Sequence, residues 1–481
     1  MKELLIGWGE TDITPADCRI ELSGQYYQRV ACGVHSRLKA VAVALQQGAE
    51  KLALLALDVA DIPAALQREI RELVRTELPD LPPERLVVNA THTHNAPYTS
   101  PKGIFEEWMV FDPDLTTPAQ YLDLLRRQAA AAVRQAWQTR RPGGVAAAFG
   151  RVPIGHCRRA VYADGSAEMY GDTGRADFTG LESGEESGVE MLFTCDNRKQ
   201  LTGMLLNVCC PAQVMEATEL ISSDYLGAVR ELLKEALSPE FHTLCQIGAA
   251  GCQSPRDLLR RNQSEPDGWH ADTVQYLAGK LAPVVTAAAW HLGTLDFTPV
   301  FRVRQARPQL PLRPVSAADF ALAQTELARL AAGGSEEAAF AAFCRETRDR
   351  AALGGPGPYD DKLHDFSLIQ NHKATVAHYR RRQREPLLPA ELTAFRIGSS
   401  AWVTVPFELF LTYGQIIQAR SAAAQTAIVQ LAAGYYGYLP SPEAERHGGY
   451  GGLVINGPVG SDGGKQLVEA ALDLIQRLMY E

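Results

Sequence analysis

The sequence predicts an α/β chain with at least one sheet covered by helices. Short apolar segments of strand length and β-branched content recur along it, and amphipathic helical patterns lie between them. The strand ends also run repeatedly into polar or Gly-rich loops, as in LALDVAD, VVNATHTHNAP, LNVCCPAQ, IGAAGCQSPRD and VTVPFE. In open α/β sheets such loops gather at one edge, and ligands sit there.

In chain order, strands are expected over 40–45, 51–58, 86–90, 188–195, 201–209, 241–247, 401–406 and 427–431. Helices are expected over 62–77, 118–138, 223–236, 272–291 and 407–424. Residues 306–395 break this rhythm with Ala-rich helical stretches (AADFALAQTELARLAAG, EEAAFAAFCRETRDRAAL), a basic run at 379–385, and GGPGPYDD as a hinge or turn. The expected organisation is one main unit from 1–305 and 396–481, interrupted by a helical insertion or cap over 306–395.

Composition narrows the function classes. The chain has 481 residues, 46% apolar and 21% charged, with a net charge of −9 and both signs interleaved. No basic stripe is present to release counterions, which argues against a nucleic-acid partner. No run approaches the ~18 apolar residues of a membrane span. The opening MKELLIGWGETDITPAD lacks the apolar core of a signal peptide. Nine cysteines follow no disulfide spacing. The expectation is a reducing cytoplasm and a small-molecule substrate.

The most informative segment is LVVNATHTHNAP, where a strand ends and His92 and His94 follow in a polar loop. At i and i+2 of an extended turn, two imidazoles face the same way. They can share one metal ion, or one can bind metal while the other moves protons; a hydrogen-bonded pair in a turn is the plain alternative. Cys209 and Cys210 close the strand LLNVCC, as a zinc ligand or as small buried hydrophobes. Glu408 is the first carboxylate after WVTVP, suited to a metal or to a helix N-terminus. Tyr435, Tyr436, Tyr438 and Tyr450 lie in a Gly-rich tract, where phenols can pack, ligate metal or polarise a carbonyl. His156, Arg158 and Arg159 in GHCRRAVYADG suit a carbonyl or anionic group, or a solvated turn.

Taken in order, these segments resemble the neutral (non-lysosomal) ceramidase family over most of the chain. GWGETDITP is similar to that family's GxGxxDITP opening, and RVACGVHSRLKAVAVAL to its Q-x-A-x-G-I-H-x-R-L run. LLALDVADI resembles its V-S-x-D strand, and NATHTHNAP its T-H-T-H-S-G-P signature. NVCCPAQVMEATELISSDYLGAVRELL resembles the segment in which His-Pro precedes S-D-x-x-G. PFELFLTYG is similar to P-G-E-F, and YYGYLPSPEAERHGGY to the Y-x-x-Y tyrosine tract.

The resemblance implies one zinc per chain, held by two His, a Glu and a Tyr, with metal-bound water attacking an amide. His92, Glu408 and Tyr438 match three of those ligands. Cys210 stands where the family has its second His, because the residue before Pro211 is cysteine. Thiolate ligates zinc well, but its charge weakens the metal as a Lewis acid. The resemblance also implies proton transfer by His94 and oxyanion stabilisation by Arg158 and Tyr450. Ceramidases carry a C-terminal β-sandwich, for which this chain shows no counterpart, so the catalytic domain alone and a small soluble substrate are expected. The same site could open an ester or a sugar-acid lactone. Rival readings are a non-catalytic metal- or sugar-binding protein, and a zinc-free hydrolase using Cys210 with His94.

Overall fold

The computed structural model describes residues 2–25, 27–100, 114–259, 268, 271–352 and 364–481. The 354–361 stretch read as a hinge lies outside the described residues.

Eight strands form the larger sheet: β1 (Leu4–Asp12), β2 (Lys39–Gln47), β3 (Glu50–Leu57), β4 (Leu86–Ala90), β5 (Arg141–Arg151), β6 (Gly188–Asp196), β7 (Leu201–Val208) and β8 (His242–Ile247). Their spatial order is β8-β7-β6-β5-β1-β2-β3-β4. The end pairs β7–β8 and β3–β4 are parallel, and every pair between them is antiparallel. Helices α1 (Ala64–Glu77) and α3 (Asp224–Ala236) are the crossovers that a parallel pair requires. With α2 (Pro118–Gln138) and α4 (Ala271–Trp290), they bury the outer face of this sheet in two apolar clusters.

Small side chains let α2 come close. A Cβ on Gly7 would lie 2.1 Å from the Ala136 carbonyl oxygen, and one on Gly9 2.2 Å from that of Ala132. On β2, Ala40, Ala42 and Ala44 face the helix layer, while Val41, Val43 and Leu45 face the other way. That period-2 alternation assigns each face its own packing partner. Thr117 caps α2 in a reciprocal box with Gln120, and Pro118 fills its first turn.

A second sheet of four strands follows: β9 (Phe301–Ala306), β10 (Leu392–Ile397), β11 (Ser400–Thr404) and β12 (Gln425–Val429), in that spatial order. Its inner face meets the larger sheet through Phe301, Val303, Phe395 and Trp402, the last two stacked at 6.0 Å. Its outer face is covered by α8 (Leu411–Arg420) and α9 (Ser461–Tyr480). The fold is therefore four layers: helices, sheet, sheet, helices. Between adjacent strands β9 and β10 the chain makes α5 (Ala317–Gly333), α6 (Glu336–Ala352) and α7 (Asp365–Arg384).

The expected strands and helices are present, with two kinds of difference. Strands β1, β5, β9 and β10 and the helix Ser461–Tyr480 were not anticipated; glycines thin the apolar signal of β1 and β5, and alternating arginines that of β9. The helix expected over 407–424 starts only at Leu411, because Glu408–Leu409 pairs in parallel with Tyr438–Leu439.

The two sheets are laced together where β4, β8 and β12 end. Leu431 accepts from the Ala90 amide, Gln430 donates its amide to Ile247, and Ala433 donates to Val88. Asn89 adds a side-chain bond to the Cys245 carbonyl, and Asn207 one to that of Ile428. This seam brings four strand-end loops to one place.

Candidate active site

The first of those loops follows β4. Thr91, Thr93 and Asn95 anchor it: Thr91 Oγ1 donates to Asp58, Thr93 Oγ1 to the Ser222 carbonyl, and Asn95 Nδ2 to Leu220. The intervening His92 and His94 meet each other with rings edge-on at 4.8 Å. His92 has φ +62, Leu431 +53, Ala433 +62 and Tyr170 +56. Left-handed backbone at non-glycine residues is costly and gathers at functional sites. Gly24, at φ +99, lets the chain press on the His94 ring, where a Cβ would come within 2.4 Å of Cγ.

Register places the next two groups. The parallel pairing of 408–409 with 438–439 sets Glu408 directly beside Tyr438. Glu408 Oε2 lies 3.4 Å from His92 Nε2, and Oε1 accepts from the Tyr435 hydroxyl at 2.9 Å. His92 Nδ1 sits 2.5 Å from the Ala60 carbonyl oxygen, which fixes Nδ1 as its N–H and leaves the Nε2 lone pair facing inward.

Arg158 ties the cluster together from the strand segment 156–162. It donates to Tyr438 Oη at 3.2 Å, Gln213 Oε1 at 3.1 Å, the Gly251 carbonyl at 3.1 Å and Tyr170 Oη at 3.4 Å, and lies 4.0 Å from Glu408. Its Nε–H has no hydrogen-bond partner among the described residues. Arg159, equally buried, faces elsewhere and binds Glu182 and the carbonyls of Gly448 and Tyr450. Tyr450 lays its ring edge-on against Tyr438 at 5.6 Å. His156 pairs with Glu185.

The loop after β7 departs from expectation. Cys210 does not join the cluster: its thiol donates to the Ile154 carbonyl at 3.0 Å within an apolar core. It makes no hydrogen bond with His92, His94, Glu408 or Tyr438 among the described residues. Burial pushes the thiol pKa far up. Three residues on, Gln213 Nε2 lies 2.8 Å from His94 Nε2. Glu216 Oε2 lies 2.7 Å from His94 Nδ1 but off the N–H direction, so neither atom has a hydrogen-bond partner among the described residues. Gln213 and Glu216 were missed by sequence reasoning, because nothing in an irregular loop shows which residues point inward.

The electrostatics follow from this packing. Burial would raise the Glu408 pKa, but His92, Arg158 and Tyr438 outweigh it and hold the carboxyl at about 2. Burial would lower that of His92, but Glu408 and the Ala60 carbonyl outweigh it and the pKa rises. For His94, burial and then the charge of His92 push it well down. Burial lifts Glu216 to about 7 despite Arg158 and Arg29.

Among the described residues, no three His, Cys, Asp or Glu side chains form a closed metal-ligand group. The donors come as two pairs sharing His92, namely His92–Glu408 and His92–His94, each 3.4 Å apart, with the Tyr438 phenol beside Glu408. Two donors on one tetrahedral zinc at ~2.0–2.1 Å stand about 3.4 Å apart. The donor chemistry therefore fits zinc. Of the ligand set expected from the sequence, His92, Glu408 and Tyr438 come together, and the Cys210 thiol is bonded to Ile154 in the apolar cluster instead.

No family model matches the chain, and no curated protein matches it in sequence. Solved structures do match it in fold. Neutral ceramidase from Pseudomonas aeruginosa superposes with a TM-score of 0.67 at 19% identity, over 99% of this chain and 75% of that one. A ceramidase complexed with C2 gives 0.66 at 17% identity, over 100% and 76%. The chain has a ceramidase-like fold. Among the described residues no helix is long and apolar enough to cross a membrane.

Proposed function

We propose that this chain is a zinc-dependent hydrolase that cleaves the amide C–N bond of a small soluble substrate. One observation carries the reading: His92, Glu408, Tyr438 and Arg158 meet in a single buried cluster at the strand-end seam of a ceramidase-like fold. His92, Glu408 and Tyr438 are the residues that would hold the metal. When bound, zinc supplies a Lewis acid and lowers the pKa of the water it carries.

The remaining steps belong to the chain's own residues. Ala60 sets the His92 tautomer through Nδ1, and Tyr435 orients the Glu408 carboxylate through Oε1. Burial and the Glu408 charge push the Tyr438 pKa well up, and Arg158, which donates to the phenol oxygen, opposes them. The remaining Nε–H of Arg158, together with Tyr450, is the donor set for the oxygen that becomes negative when the carbonyl is attacked. Burial of the cluster keeps bulk water away, so these charges act at short range and low dielectric.

The test is a substrate panel of short N-acyl amines, a ceramide, esters and sugar-acid lactones, run with and without chelator. Amide hydrolysis lost on chelation and restored by zinc supports the reading. Turnover of esters or lactones alone would replace the amide. Turnover indifferent to chelation would overturn the metal.

A further inference from the structure

We infer that His94, oriented by Glu216, takes the zinc-ligand position that Cys210 leaves empty. The inference rests on the zinc reading above and assigns the ligand shell His92, His94, Glu408 and Tyr438.

Three observations converge on it. The His94 and His92 Nε2 atoms face each other at 3.4 Å. That is long for a hydrogen bond and matches the separation of two donors on one tetrahedral ion. His92 stands at the same 3.4 Å from Glu408, so one imidazole is common to both pairs.

The second observation lies behind the ring. A zinc-bound imidazole usually gives its other N–H to a carboxylate or a carbonyl. His92 has the Ala60 carbonyl at Nδ1, and His94 has the Glu216 carboxylate 2.7 Å from Nδ1. Glu216 is fully buried, and both its oxygens lack a hydrogen-bond partner among the described residues, as does His94 Nδ1. Burying a carboxylate without partners is expensive. A ring fixed at Nε2 by a cation would turn this loose contact into the usual carboxylate–histidine pair.

The third is the fate of the thiol. Cys210 follows the course of the strand into an apolar cluster, donates to Ile154, and has its own carbonyl tied to the Tyr225 hydroxyl at 2.7 Å. Turning that sulfur toward the site would break its bond to Ile154. His94 needs only to give up the Gln213 amide at Nε2.

The experiment measures zinc content and affinity of the full chain purified without chelator, with cobalt(II) substitution as a spectroscopic readout. Wild type is expected to hold about one zinc and to show no thiolate-to-cobalt charge-transfer band. Cys210→Ser keeps both properties. His94→Ala and His94→Gln lose the metal, with circular dichroism checking that the fold persists. Glu216→Gln weakens affinity roughly 10- to 100-fold. A thiolate band, loss of metal in Cys210→Ser, or unchanged zinc in the His94 variants would overturn this assignment while leaving the zinc reading standing. Absence of metal from wild type would overturn the zinc reading itself.

Discussion

The loops after β4 and β7, two strands that run in opposite directions within one sheet, each carry a residue suited to zinc, yet only one delivers it. After β4, alternate residues Thr91, Thr93 and Asn95 spend their side chains on backbone anchors, so His92 and His94 are both left to the site. After β7, Cys210 continues into an apolar cluster, and Gln213 and Glu216 reach His94 instead. A side chain's usefulness in a site is therefore decided by what its neighbours anchor. Element type at the metal position is secondary.

The sharpest way to break this comparison is at Glu408. Glu408→Gln keeps size and the Tyr435 contact but removes the charge facing His92, and we expect hydrolysis to fall to background in a steady-state assay. Arg158→Lys should lower kcat/KM about 10²–10³-fold, the usual cost of an oxyanion donor. Arg159→Met tests the contrast between adjacent arginines. It leaves Glu182, whose side chain is 2% exposed, paired with His447 alone, and should cost roughly 1.5–3 kcal/mol in denaturant unfolding. A KM unchanged where the variant is still folded would confirm that Arg159 only builds the frame.

Two smaller effects sharpen the picture. Gly24→Ala places a Cβ against the His94 ring at positive φ, and should cost about 1 kcal/mol or more while weakening metal binding. Glu10 lies on β1, far along the chain from either loop. Burial would raise its pKa, but His242 and Lys234 outweigh that and bring it from the ordinary 4.5 to about 2. Its stabilising contribution is therefore complete above pH 4.5 and is lost as pH falls toward 2. Melting temperature followed from pH 7 to 3 should drop less in Glu10→Gln than in wild type.

Much of this was legible in the residues. Alternation and strand-end loops gave the α/β class, and the ordered motifs pointed to His92, Glu408, Tyr438 and Arg158. What stayed hidden has physical causes. Adjacent residues on extended backbone face opposite ways, so Arg158 and Arg159 could not be told apart without knowing which face of 156–162 meets the site. Glu408 looked like a helix start because its partner Tyr438 is remote in sequence, and a two-residue parallel pairing leaves no periodic trace. Cys210 looked like a ligand because Pro211 matched a motif, and a motif does not carry side-chain direction.

The most direct test is an anomalous-scattering measurement at the zinc absorption edge on crystals of the full chain. The account predicts one peak within bonding distance of His92, Glu408 and Tyr438, with Cys210 outside it. No peak there, or a peak bound by the Cys210 sulfur, would contradict it.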